Sequence, residues 1–403
     1  MKYIVILGDG MADLPLKDYG GKTPLQMAGK PHIDRLAEYG RTGYLSTVPE
    51  GMNPGSEIAN MAVLGYDVRK VYQGRGVLEA ASMGVGLDES DLAMRCNLIA
   101  IEDGKIKNHS AGHISTPEAA ELIDYINKEL GDNDIRFFPG VSYRHLLVLK
   151  NGINHIKCTP PHDKPGYPFR DFMVSATTAE AESTADRLND LILRSQELLE
   201  DHPVNIRRRK DGKDAANSIW PWSPGHMPEM ATLNEMFGLK RSAVISAVDL
   251  IQGIGVYAGM KVIKVEGATG LYDTNYEGKA KAAVDALKNN DFVYLHIEAS
   301  DEAGHEGDVE LKIKTIEYLD KRVVKYITEE TAKFDEDVAI AILPDHPTPC
   351  ALKTHTRDAV PFLIYKPGCE PDKVNVYDEF SVSDGFYGSF YGDQFMKAFL
   401  APA

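Results

Sequence analysis

Three short apolar runs constrain this chain more than any other feature. Tyr3–Leu7, Phe292–Ile297 and Val338–Leu343 are rich in β-branched residues, nearly free of polar ones, and each ends abruptly in acidic or imidazole side chains. Runs of this length without polar alternation are the pattern of strands buried on both faces, as in the parallel sheets of α/β folds. Such sheets place their ligands at the carboxyl ends of the strands. The first run ends in Gly8-Asp9-Gly10. The second leads into Glu298, Asp301, Glu302, His305, Glu306 and Asp308. The third leads into Asp345-His346 and, a few residues on, Lys353 and His355.

The same rhythm continues around them. Ala243–Val248, Met260–Val265 and Val360–Tyr365 read as further strands. Tyr276–Lys288 and Val309–Thr328 read as helices, the latter with Leu311, Ile316, Leu319, Val323 and Ile327 along one face. Between residues 87 and 215 the texture changes. Ala93–Glu102 alternates like a strand, Asp103-Gly104 is a hairpin signal, and Ser115-Thr116-Pro117-Glu118 opens a helix through Leu130. Ile135–Phe138 and His145–Lys150 are short strands, Thr177–Glu200 is a long polar helix, and the basic stretch Arg207–Lys213 reads as irregular. The expected organisation is an α/β domain, a mostly parallel sheet flanked by helices, formed by residues 1–86 and 216–403. A smaller α+β domain, residues 87–215, is inserted in it.

A length of 403 residues suits two domains. The net charge of −16 argues against a nucleic-acid or anionic-membrane partner. It also means that an anionic substrate needs local positive charge, which bound cations could supply. Cys96, Cys158, Cys350 and Cys369 show no paired spacing and read as reduced thiols. With no long apolar run, the expectation is a soluble cytoplasmic protein.

Asp301 and His305, four residues apart, share one face of any helical turn. With Asp9, Asp345, His346 and His355 they supply carboxylates and imidazoles without thiolate, a set suited to Mn²⁺, Zn²⁺ or Mg²⁺ and large enough for two ions. Ser56 follows Asn53-Pro54-Gly55 where a helix should begin. There it reads equally as an N-cap or as a residue facing an anion. Arg75, between Gly74 and Gly76, reads as an anion contact or as part of a surface loop. No phosphate-binding Gly-x-x-x-x-Gly-Lys-Ser/Thr motif, nucleophile elbow or dinucleotide glycine pattern is present.

Together with Gly8-Asp9-Gly10, Gly55-Ser56, Gly74-Arg75-Gly76, Asp249, Gly267–Gly270, Asp301–Asp308 and Asp345-His346-Pro347, the chain resembles the archaeal-type cofactor-independent phosphoglycerate mutases of the alkaline phosphatase superfamily. The resemblance runs along nearly its whole length. It implies an alkaline-phosphatase-like core and Ser56 as a nucleophile that becomes phosphoserine. It places Asp9, Ser56, Asp345 and His346 around one divalent ion, and Asp301, His305 and His355 around another, with Mn²⁺ ahead of Zn²⁺ or Mg²⁺. The inserted domain becomes a substrate-binding cap, with His113, Arg144 and Asp163, and Arg75 from the core, holding a small phosphorylated anion. Arg357 stands where the mutase pattern has glycine, and Trp220-Pro221-Trp222 departs from the usual Trp-Gly-x-Gly. Those departures are similar to a bacterial branch proposed to be homoserine kinases, which makes phosphotransfer to homoserine the alternative activity, with phosphomonoester hydrolysis a third.

Overall fold

In the computed structural model, which describes residues 1–402, the N-terminal apolar run forms strand β1 (Lys2–Gly8) in the interior of an eight-stranded sheet. The other strands are β2 (Arg41–Ser46), β3 (Ser242–Ile245), β4 (Lys261–Val262), β5 (Phe292–Ile297), β6 (Val338–Leu343), β7 (Val360–Tyr365) and β8 (Ser389–Tyr391). Their order is β4-β3-β5-β1-β6-β7-β2-β8. Every neighbouring pair is parallel except the two made by β7, which runs against both β6 and β2. The sheet is thus mostly parallel, as expected. β1 pairs with β5 on one side and β6 on the other, so Gly8, Ile297 and Leu343 end side by side.

On one face of the sheet Ile4, Ile6, Val293, Leu295, Ile340 and Ile342 share a core with Ala280, Ala283 and Leu287 of the helix Tyr276–Leu287. The alternate residues Val5, Leu7, Ala341 and Leu343 are buried as well. The single helix expected over Val309–Thr328 is Val309–Tyr318, a π-helical stretch Leu319–Val324, then Lys325–Thr331. Within the π stretch, Asp320 accepts the amides of His32 and Ile33 at 2.9 and 2.8 Å. It thereby caps the helix Pro31–Glu38, which has no side-chain cap of its own.

The chain divides into two units: Met1–Tyr72 with the segment from Met230 onward, and Gln73–Glu229. These bounds lie outside the expected 87 and 215. Strand Ser218–Gly225 pairs along Asp91–Glu102, with Asn97 opposite Trp220, and so belongs to the second unit. The helix Arg75–Ser82 packs on the same strand so closely that a Cβ on Gly76 would lie 2.6 Å from the Ala93 carbonyl oxygen. Arg75 therefore starts a helix of the second unit, where a loop of the first was expected. The unit's five-stranded sheet is covered by Thr116–Leu130 and Glu182–Glu200, and both indole rings, Trp220 and Trp222, sit in its core. The stretch expected to be irregular at Arg207–Lys213 is mostly helical, as Pro203–Lys210. Pro203 presets its first turn, and the buried Arg208 pairs with Glu118 at 2.8 Å and donates to the carbonyls of Asp214 and Ala111.

Beneath the strand ends of the first unit lies a buried ion pair. Lys312 Nζ donates to Asp13 Oδ2 (2.8 Å), Ala12 O (3.0 Å) and Thr348 O (2.8 Å), and the Cys350 amide donates to the same Asp13 oxygen. Lys312 thus ties the loop after β1 to the loop after β6. Glu379 accepts the Asp13 amide and the Thr23 hydroxyl. Lys312→Met should cost about 3–5 kcal/mol in urea unfolding, since it leaves Asp13 charged and unpaired. Burial pushes the Glu379 carboxyl up to about 7 against its hydrogen bond from Thr23. Its folded pKa exceeds the unfolded value, so its contribution is present below about pH 4.5 and is lost as pH rises through about 7. Glu379→Gln should flatten the fall in stability between pH 5 and pH 8 by about 2 kcal/mol. An unchanged slope overturns that assignment.

Candidate active site

The strand ends assemble the site. Asp9 leaves β1, Asp345 and His346 follow β6, and the helix Ala299–Glu306 after β5 carries Asp301 and His305. Their one-turn spacing brings His305 Nε2 to 3.3 Å from Asp301 Oδ2. His355 returns from the loop after β6, with Nε2 3.3 Å from Asp301 Oδ1 and 2.9 Å from His305 Nε2. Its ring stacks on His346 with centroids 3.9 Å apart. Ser56 is the first residue of the helix Ser56–Val63, and the cap position is taken by Gly55. The plain N-cap alternative is therefore set aside, and Ser56 Oγ lies 3.2 Å from His346 Nε2.

Two overlapping donor groups result. Asp9, Asp345 and His346 bring ligand-type atoms within 4.8 Å of one another, and so do Asp301, His346 and His355. His346 serves both groups, with Nε2 3.7 Å from Asp9 Oδ1 and 3.5 Å from Asp345 Oδ2. All seven residues expected at the centre come together: Asp9, Ser56, Asp301, His305, Asp345, His346 and His355.

The electrostatics suit a cation. Burial first, then the neighbouring Asp345 and Asp301, hold the Asp9 carboxyl well above the usual carboxylate range. Asp9 Oδ1 is buried and has no hydrogen-bond partner among the described residues. A negative oxygen in that position is costly unless something positive faces it. On Asp301 burial also works upward, but hydrogen bonds to His305 and His355 outweigh it and hold the carboxyl well below its usual range. The bond to Asp301 lifts His305 to about 9, while burial lowers His346. Carboxylates and imidazoles without thiolate match a hard to borderline divalent ion.

Residues not singled out from sequence complete the mounting. Asn60, one turn beyond Ser56, donates to Asp345 Oδ2 and to the Ser56 carbonyl, both at 2.8 Å, and accepts from Tyr294 Oη at 2.6 Å. The amides of Gly10 and His346 donate to Asp345 Oδ1 at 3.1 and 2.9 Å. Gly10 has φ +60°, and a Cβ there would fall 2.7 Å from the Asp301 backbone, so only glycine fits. Thr348 donates to Asp301. For Asn60 the signal in the sequence was its helical spacing from Ser56; Tyr294 and Thr348 had none.

The other four expected residues, Arg75, His113, Arg144 and Asp163, all lie in the second unit. His113 and Arg144 lie beside Tyr143, with the His113 ring centroid 6.5 Å and the Arg144 guanidinium carbon 5.5 Å from that ring. Asp163 lies 3.6 Å from His162, whose ring meets Trp222 edge-on at 5.4 Å. Arg144 and Arg75 also act electrostatically on Arg95, whose guanidinium lies over Trp222 and pairs with Glu79 at 3.2 Å. Burial lowers the Arg95 pKa, and the nearby Arg144 and Arg75 lower it further. This is a local concentration of positive charge in an acidic chain. Its sequence signal was a lone arginine inside an apolar strand.

The family model described as 2,3-bisphosphoglycerate-independent phosphoglycerate mutase matches residues 37–205. A protein of that name from Methanosarcina acetivorans is 52% identical over 390 residues, covering 96% of each chain. Another, from Methanothrix thermoacetophila, is 48% identical over the full length of both. Among solved structures, the cofactor-independent phosphoglycerate mutase of Thermoplasma acidophilum aligns with a TM-score of 0.70 and 28% identity over 99% of both chains. A protein from Pyrococcus horikoshii aligns with a TM-score of 0.84 and 32% identity over 99% of this chain and 96% of its own. On this whole-length likeness, the chain belongs to the 2,3-bisphosphoglycerate-independent phosphoglycerate mutase family.

Proposed function

We propose that this chain interconverts 3-phosphoglycerate and 2-phosphoglycerate without bisphosphoglycerate, through a phosphoserine at Ser56. One observation carries the reading: Ser56 Oγ, at the start of a helix, faces His346 Nε2 at 3.2 Å beside two donor groups. The names of relatives near 50% identity support the substrate.

Asp9, Ser56, Asp345 and His346 would hold one divalent ion, and Asp301, His305 and His355 the other. Mn²⁺ is our assignment, with Zn²⁺ and Mg²⁺ as alternatives. Bound there, two such cations would lower the pKa of a hydroxyl and neutralise phosphoryl oxygens. Ser56 Oγ gives up its proton and forms a bond to phosphorus as the bond to one glycerate oxygen breaks, and that oxygen takes up a proton in its place. The other glycerate hydroxyl then attacks the phosphoserine, restoring Ser56. The helix N-terminus at Ser56 favours the negative charge carried through both steps. In the second unit, proposed as the substrate-binding cap, Arg75, His113, Arg144 and Asp163 hold the carboxylate, hydroxyls and phosphate of the substrate, and Arg95 adds positive charge. Four unpaired cysteines fit a reducing compartment, the cytoplasm.

An enolase-coupled assay with Mn²⁺ and no bisphosphoglycerate should show turnover, and Ser56→Ala should lower it on the order of 10³-fold or more. Full activity in Ser56→Ala overturns the mechanism. Activity with ATP and homoserine, in place of 3-phosphoglycerate, transfers the site to the alternative substrate. Chelation by EDTA should abolish turnover and lower the melting temperature, and added Mn²⁺ should restore both.

A further inference from the structure

Behind Asp9 the first unit contains a row of buried charges that the reaction itself does not use. His296, the fifth residue of β5, is fully buried. Its Nε2 lies 3.2 Å from Asp9 Oδ2, an ion pair that falls short of a well-aligned hydrogen bond. Its Nδ1 lies 3.2 Å from Glu298 Oε1. Glu298 Oε1 also accepts the Ser246 hydroxyl at 3.0 Å and the Ala247 amide at 2.9 Å. Glu298 Oε2 pairs with Lys279 Nζ, which is wholly buried and also donates to the His296 carbonyl at 3.3 Å. Along the row an ammonium, a carboxylate, an imidazole and a second carboxylate follow one another: Lys279, Glu298, His296, Asp9.

We propose that His296 is a positioning residue that makes Asp9 a one-oxygen donor to a divalent cation, with Glu298 and Lys279 holding His296 in place. This rests on the reading of Asp9 as a metal ligand. Both imidazole nitrogens face carboxylates at 3.2 Å, so the ring cannot turn without losing one of these contacts. Asp9 Oδ2 is occupied by that ring, whereas Oδ1 is buried without a hydrogen-bond partner and points toward His346 Nε2 at 3.7 Å. A free buried carboxylate beside Asp345 and Asp301 would turn away from them or take up a proton. Fixing one oxygen prevents the rotation and leaves the other aimed at the donor group. The outer shell of a metal site typically works this way on its ligands.

The test is Mn²⁺ binding by calorimetry on the full chain after metal removal. Asp9→Asn identifies the Asp9-dependent ion and should lose one of two equivalents. His296→Ala should retain both, with the Asp9-dependent one weakened about 10–100-fold and the other unchanged. His296→Gln, which keeps an N–H toward Asp9, should recover most of that loss. The pair Lys279→Met with Glu298→Gln removes the outer charges together, so its metal-free melting temperature monitors folding. It too should weaken the same equivalent. Unchanged affinity in both His296→Ala and the paired variant, while Asp9→Asn loses an ion, overturns this inference and leaves the metal site standing. Two full equivalents in Asp9→Asn overturn the ligand reading, and this inference with it.

Discussion

Three carboxylates, Asp9, Asp301 and Asp345, meet at one end of a parallel sheet, and their mutual repulsion is the constraint that the surrounding structure answers. Two such charges about 4–5 Å apart oppose each other by about 3–4 kcal/mol at an effective dielectric near 20. Each carboxylate has its own compensation. Asp345 is wrapped by two backbone amides and Asn60. Asp301 lies between His305 and His355. Asp9 has His296 on one oxygen and no partner on the other. The compensation is complete everywhere except at the positions where a cation would sit.

The fold makes this concentration possible by mechanical means. In a parallel sheet neighbouring strands end on the same side, so β1, β5 and β6 deliver their trailing residues to one place. Lys312 then binds the loops after β1 and β6 into one piece from below. Tyr294 does the same from within β5, reaching Asn60 on the helix that begins at Ser56. Charges that repel are held together by a scaffold in which Lys312, Tyr294 and Asn60 are each hydrogen-bonded.

Much of this was legible in the sequence, for physical reasons. The runs that became β1, β5 and β6 were continuous and apolar, and polar residues at the carboxyl end of a buried strand are almost forced to be site or turn. Asp301 and His305 needed only helical spacing to be joined. Other features depended on contacts that no local pattern encodes. Arg207–Lys210 has no apolar face, and its helix is secured by Arg208 meeting Glu118, about 90 residues away in the chain. Arg75 was assigned to the wrong unit because its helix is defined by packing on Asp91–Glu102. His296 and Glu298 stood in plain view beside Asp301, yet their role depends on Lys279, a lysine buried against expectation for its type.

The discontinuous first unit has a consequence for how the chain is made. β1 is synthesised well before its partners in register, which begin at Phe292 and Val338 and arrive about 290 and 335 residues later. At about 5–20 residues per second, β1 waits on the order of 15 s to 1 min for its first neighbour. Gln73–Glu229 is continuous and can close its own core in that interval. The smaller unit is thus the natural first folding event. The strand that organises the metal-type site spends its early life as an unpaired apolar segment, the state in which chaperones and aggregation compete for a chain.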